Sequence, residues 1–103
     1  MSKKLDQDMK QLRAIGHKLK PVVIIAGKGL TDGVIAELDR ALTDHELIKV
    51  KLAAGSRESR TELAREISAQ SGAKIVQSIG NVILLLRRSV TPNPRLSNLI
   101  KPL

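Results

Sequence analysis

The chain has no cysteine and no Phe, Tyr or Trp among its 103 residues. Without cysteine there can be no disulfide, no thiolate metal ligand and no thiol nucleophile. Without aromatic rings the chain cannot stack nucleobases on aromatic platforms, as many single-strand binders do. No apolar run approaches the roughly 18 residues needed for a membrane-spanning helix. The opening Met1-Ser2-Lys3-Lys4-Leu5-Asp6-Gln7-Asp8 is charged and lacks the apolar core of a signal peptide. A cytoplasmic protein with no membrane partner is therefore expected. Acid is scarce as well: 10 Asp/Glu against 18 Lys/Arg leave a net charge of +8.

The excess charge is concentrated at the two ends of the chain. Residues 1–28 hold seven basic and two acidic side chains, residues 29–66 six and eight, and residues 67–103 five and none. If the ends meet in space, they form a positive face opposite an acidic one. A field of that shape steers and orients a polyanion.

Hydrophobic periodicity gives seven elements. Leu5, Met9, Leu12 and Ile15 line one face of a helix over about 3–15, which Gly16 would end. Pro21 leads into an apolar strand over 22–26, whose uniform character predicts cover on both faces. A second helix, capped by Thr31 or Asp32, runs to about residue 44 with Val34, Leu38, Ala41 and Leu42 inward. A strand over 47–52 alternates Ile48, Val50 and Leu52 with Lys49 and Lys51. A third helix extends from about 57 to 70, with Leu63, Ala64 and Ile67 inward and Ser71-Gly72 closing it. Strands over 73–79 and 82–87 flank Gly80-Asn81, a two-residue hairpin signal. The order α-β-α-β-α-β-β predicts a single α/β domain over 1–88 with a small mixed sheet. Its first two strands would form a βαβ unit and its last two an antiparallel pair. Residues 89–103, with Pro92, Pro94 and Pro102, read as an extended, partly mobile basic tail.

Little here suggests catalysis. His17 and His45 are not in a metal-ligand spacing, and no serine sits in a nucleophile-elbow pattern. Glu62 and Glu66, four residues apart, read most simply as an exposed helix face. No enzyme activity, metal, cofactor or small-molecule substrate is expected.

The segment that invites a ligand is Ala26-Gly27-Lys28-Gly29-Leu30-Thr31-Asp32, between the first strand and the second helix. A glycine-rich strand-to-helix turn offers backbone N–H groups at a helix N-terminus, where peptide dipoles favour an anion. The GxxxxGK[ST] pattern is not met, since Lys28 is followed by Gly29 and lacks the upstream glycine, and GxGxxG is not met, since position 32 is Asp. On local sequence the turn is either an anion contact or purely structural, and the basic charge around it favours a nucleic-acid phosphate. Candidate flanking cations are Lys18 and Lys20 before the first strand, Lys49 and Lys51 on the second, and Arg57 and Arg60 at the start of the third helix. The two arginines could equally pair with nearby Glu58 or Glu62.

Leu19-Lys20-Pro21-Val22-Val23-Ile24-Ile25-Ala26-Gly27-Lys28-Gly29-Leu30-Thr31-Asp32-Gly33-Val34, followed by His45-Glu46-Leu47-Ile48-Lys49-Val50-Lys51, resembles the CRM domain family, and within it the stand-alone bacterial YhbY-type members. The resemblance covers about 4–88. It implies a four-stranded α/β domain similar to the C-terminal domain of bacterial translation initiation factor three. It also implies RNA binding and association with precursors of the large ribosomal subunit. The family's GxxG turn, which is like the phosphate clamp of KH domains, falls on Ala26-Gly27-Lys28-Gly29, with Ala26 in place of the first glycine. Alanine does not readily take positive φ, so either the loop differs from the family's or Gly27 takes over the flexible role. The expected function is RNA-backbone recognition by Gly27, Lys28, Gly29, Lys18, Lys20, Lys49, Lys51, Arg57 and Arg60, in the service of ribosome assembly. The alternative is a protein-interaction module whose basic face docks an acidic partner.

Overall fold

A computed structural model describes residues 2–53 and 55–99, with side chains from residue 9 onward. The elements are α1 (Ser2–Lys18), β1 (Pro21–Ile25), α2 (Asp32–His45), β2 (Leu47–Leu52), α3 (Arg57–Ser71), β3 (Lys74–Ile79) and β4 (Val82–Leu86). The four strands form one sheet in the order β1-β2-β4-β3. β1 and β2 run parallel, as a strand–helix–strand unit requires, and the other two pairings are antiparallel. The α/β class, the element order and the mixed sheet are those expected from the sequence.

Two helices close one face of this sheet. Val23, Ile25, Ile48, Val50, Leu52, Ile83 and Leu85 point toward α2 and α3, where Leu38, Leu42, Ala64 and Ile67 meet them. Each Leu or Ile buried there contributes about 1.5–3 kcal/mol. Both helices are capped locally. The Thr31 hydroxyl accepts from the Val34 N–H at 3.2 Å, and the Ser56 hydroxyl accepts from the Ser59 N–H at 3.0 Å. α3 ends at Gly72, whose φ of 73° suits a residue without a Cβ. The hairpin turn uses Gly80 in the same way, at φ 58°.

The other face is covered by α1 and, at one end, by the segment after β4. Leu12 packs with Leu47, Val76 and Leu84, joined by Met9, Ile15 and Leu19. The side chain of Leu5, the remaining member of the expected stripe, lies outside the described residues. Gly16 does not end this helix, which continues to Lys18. Gly16 instead marks the closest approach of α1 to the sheet. A Cβ built there would run into the methyl groups of Leu84.

The expectation that β1 is covered on both faces fails. Val22 is 48% and Ile24 62% exposed. β1 is an edge strand, and α1 lies over its neighbours, so an apolar run alone did not reveal which side the helix would reach.

The segment after β4, read as a mobile extension, folds back through residue 99. Glu46, at φ 62° and buried, organises it. Its carboxylate accepts from the Ser89 N–H at 2.6 Å and from the Ser97 hydroxyl at 2.7 Å. The Asn98 amide donates to the Leu47 carbonyl at 2.7 Å, and His45 Nδ1 donates to the Leu96 carbonyl at 2.9 Å. Leu99 then packs against the α1-side cluster. Pro102 lies outside the described residues.

Candidate nucleic-acid interface

The glycine turn is a tight one. The Gly29 N–H donates to the Ala26 carbonyl at 3.0 Å, which leaves Gly27 and Lys28 at its centre. Gly29 carries the positive φ, 71°. Of the two alternatives, Gly27 does not take over the unusual conformation, and Ala26 sits where no positive φ is required. The N-terminus of α2 is also less bare than its sequence suggests. Thr31 caps it, Asp32 lies in its first turn, and the Thr31 N–H is spent on the Gly29 carbonyl at 3.1 Å. Glu62 and Glu66 of α3 line a shallow cleft together with Ala26, Gly27 and Gly29. What the turn presents outward is the Lys28 ammonium group, which is exposed. Among the described residues the N–H groups of Gly27 and Lys28 have no backbone partner.

The nine residues singled out in the sequence fall into three groups. Lys28 and the two glycines lie beyond the C-terminal end of β1. Arg57 and Arg60 lie beyond the same end of the parallel strand β2, and the adjacency of these ends is fixed by the hydrogen bond from the Ala53 N–H to the Ile25 carbonyl at 2.8 Å. Lys18 and Lys20 sit at the opposite end of β1, a separation of about 17 Å for a five-residue strand. Lys49 and Lys51 bridge the two ends. They project from the α1 side of the sheet, where Lys51 is beside Ile24 and Lys49 beside Pro21 in the parallel register. Among the described residues none of Lys18, Lys20, Lys28, Lys49 and Lys51 forms an ion pair. Arg60 is half-buried and has interactions of its own, so its role is at least partly structural.

Acid borders the glycine turn, through Asp32, Glu62 and Glu66, but not the strand lysines. Asp32, Glu37, Asp39 and Asp44 belong to α2, and Glu58, Glu62 and Glu66 to α3. Glu46 is buried under the tail. No acidic side chain of the described residues rises from the strands on the α1 side. The expected meeting of the two basic chain ends is not what brings the lysines together: Lys49 and Lys51 belong to the middle of the chain, and Arg87 of the C-terminal segment pairs with Asp39 on the α2 side.

Sequence reasoning missed Arg87. Its guanidinium bonds Asp39 Oδ1 at 2.8 Å, the Asp39 and Ser71 carbonyls at 2.9 Å and the Thr43 hydroxyl at 2.9 Å. This cation ties α2 and α3 to the end of β4 and is not available to a ligand. Its position next to an apolar strand was legible, but its partners, 16 to 48 residues away, were not. The exposed apolar residues Ile24 and Ile79 were also missed as a surface, because their exposure follows from the position of α1. Among the described residues no cluster of three or more His, Asp or Glu could hold a metal ion, and no helix is long and apolar enough to cross a membrane.

Comparison with known proteins gives consistent relatives. Residues 5–87 match the family described as the CRS1 / YhbY (CRM) domain. A Pseudomonas aeruginosa protein named as a probable RNA-binding protein is 55% identical over 93 residues, covering 90% of this chain and 89% of that one. A Haemophilus influenzae protein named as an RNA-binding protein is 45% identical over 78 residues, covering 76% of this chain and 79% of its own length. The solution structure of a Staphylococcus aureus protein, described there as a candidate RNA binder, superimposes with a TM-score of 0.72 at 29% identity, covering 82% of this chain and 88% of that one.

Proposed function

The chain belongs to the CRS1 / YhbY (CRM) domain family, and from that premise we propose that it binds RNA through the phosphate backbone. The observation that carries this reading is the segregation of charge. Five lysines without ion-pair partners lie along and around β1 and β2, while the described carboxylates are gathered on α2, α3 and beneath the tail. Lys28 and the N–H groups of Gly27 and Lys28 hold one phosphate. Lys18, Lys20, Lys49 and Lys51 take flanking phosphates, and Arg57 extends the track beyond the turn. Such contacts fix position and orientation and leave specificity to RNA shape. The finer reading rests on likeness to the stand-alone bacterial members. It is that the RNA is a large-subunit ribosomal precursor, that the protein assists assembly in the cytoplasm, and that it acts without catalysis.

Salt titration of RNA binding tests the backbone mechanism. With about five phosphates neutralised, log K falls against log salt with a slope of about −4. A slope near zero ends the proposal. The double variant Lys20→Ala/Lys28→Ala binds a ribosomal RNA fragment more weakly while its circular dichroism stays unchanged. If binding is already weak and the variant leaves it unaltered, the basic face serves an acidic protein instead. Crosslinking in cells followed by sequencing of the bound RNA tests the ribosomal assignment, which fails if large-subunit precursor is not enriched.

A further inference from the structure

The part of the sheet that α1 leaves open is a surface in its own right. Strand register aligns Ile24 with Lys51, Lys51 with Val82, and Val82 with Ile79. This row crosses all four strands, about 14 Å at ordinary strand spacing. Ile24 and Ile79 at its ends are 62% and 66% exposed, the state of surface residues although both are large and apolar. Beside the row lies a groove of about 440 Å³ lined by His17, Lys49, Gln77, Ile79, Val82 and Leu84. That volume is within the range of pockets that hold a small organic group.

Resting on the RNA reading above, we propose that this open half-sheet is a base-contacting platform, on which unpaired nucleobases of single-stranded RNA lie against Ile24, Val82 and Ile79 while Lys49 and Lys51 hold the adjoining phosphates. The composition of the row distinguishes this occupant from a protein. Protein interfaces exclude lysine from their centre and confine charge to the rim. Here Lys51 stands between two aliphatic side chains in the middle of the row. A single-stranded nucleic acid presents apolar base faces and anionic phosphates in alternation, and it matches such a surface. Apolar side chains can flank an extruded base as rings do, which answers the lack of aromatics. Gln77 in the groove offers both a donor and an acceptor to a base edge.

The experiment compares a uridine decamer with an abasic strand of the same length and charge. Wild-type protein binds the decamer about tenfold more tightly, the scale of one or two base contacts. In Ile24→Ser/Ile79→Ser that preference disappears, while the salt slope for the decamer is unchanged because the phosphate contacts remain. Methyl chemical shifts of the unsubstituted full chain provide a readout that needs no variant. Those of Val22, Ile24, Ile79 and Val82 move with the decamer and much less with the abasic strand. If the two strands bind wild type equally, or these methyl groups stay still, the platform is overturned while the RNA reading stands, and the face is left to a protein partner. If neither strand nor structured RNA binds, the RNA reading itself falls.

Discussion

The same four strands supply both faces of the sheet, and the two faces differ in almost every respect. Toward α2 and α3 the side chains are aliphatic and closed off, with Ile25, Leu42, Val50, Ile67 and Leu85 at or near zero exposure. Toward α1 they are buried only where the helix reaches, at Leu47, Val76 and Leu84. Beyond that they become Lys49, Lys51, Ile24 and Ile79. Strand β2 shows the difference within six residues, because alternate side chains serve opposite sides. The difference teaches that stability and binding surface can be divided by strand parity. One parity of the strands makes the core, and the other stays partly uncovered because a single helix cannot span four strands. Burying an exposed Ile would stabilise by about 2 kcal/mol. That gain is left to whatever docks on the open half.

The sharpest way to break this comparison is to truncate matched residues on the two sides. Ile67→Ala empties a fully buried position between α3 and the sheet, and it costs about 2–5 kcal/mol. Ile24→Ala removes the same type of group from the open side and changes stability by no more than about 0.5 kcal/mol. Urea denaturation of the two variants measures both. Similar losses would mean that the open half is as structural as the closed one.

The α1 side is sealed at one end by the tail, so loosening the tail sharpens the comparison further. Glu46→Ala leaves the Ser89 N–H and the Ser97 hydroxyl without their acceptor. The expected cost is about 2–3 kcal/mol. Amide hydrogen exchange should accelerate first at Ser89, Asn98 and Leu99 and later, if at all, in α3. Uniform acceleration would show that the clasp is part of the global fold and not a local closure.

Local signals carried far in this chain. The alternation in β2, the Thr31 and Ser56 caps, the Gly72 terminus and the Gly80-Asn81 turn are all written within a few residues of where they act. The readings that failed depend on distant partners. Gly16 looks like a helix terminator until Leu84, far along the chain, is seen beneath it. The proline-bearing tail looks detached until Glu46 is seen to hold Ser89 and Ser97. The open half-sheet is the same kind of case, since β1 carries the composition of a buried strand and only the sheet order puts it at an edge. For the candidate site, the lysines could be named from the sequence, but that Lys49 and Lys51 share the open side with Ile24, and that Glu62 and Glu66 border the turn, required the register and the packing of α3.

The smallest effect expected concerns the turn, where the two ends of one loop can be compared directly. Gly29 is at φ 71°, so Gly29→Ala costs about 1–2 kcal/mol and strains the loop that presents Lys28. Ala26 faces no such demand. Ala26→Gly, which restores the first glycine of the GxxG pattern, enlarges the unfolded ensemble and costs at most about 1 kcal/mol. It leaves RNA affinity unchanged, because the turn closes through the Ala26 carbonyl and does not depend on its side chain. Thermal melts and one RNA titration for each variant separate these outcomes. A gain in affinity from Ala26→Gly would mean that the bound turn adopts a backbone conformation different from the free one, and that the alanine restricts it.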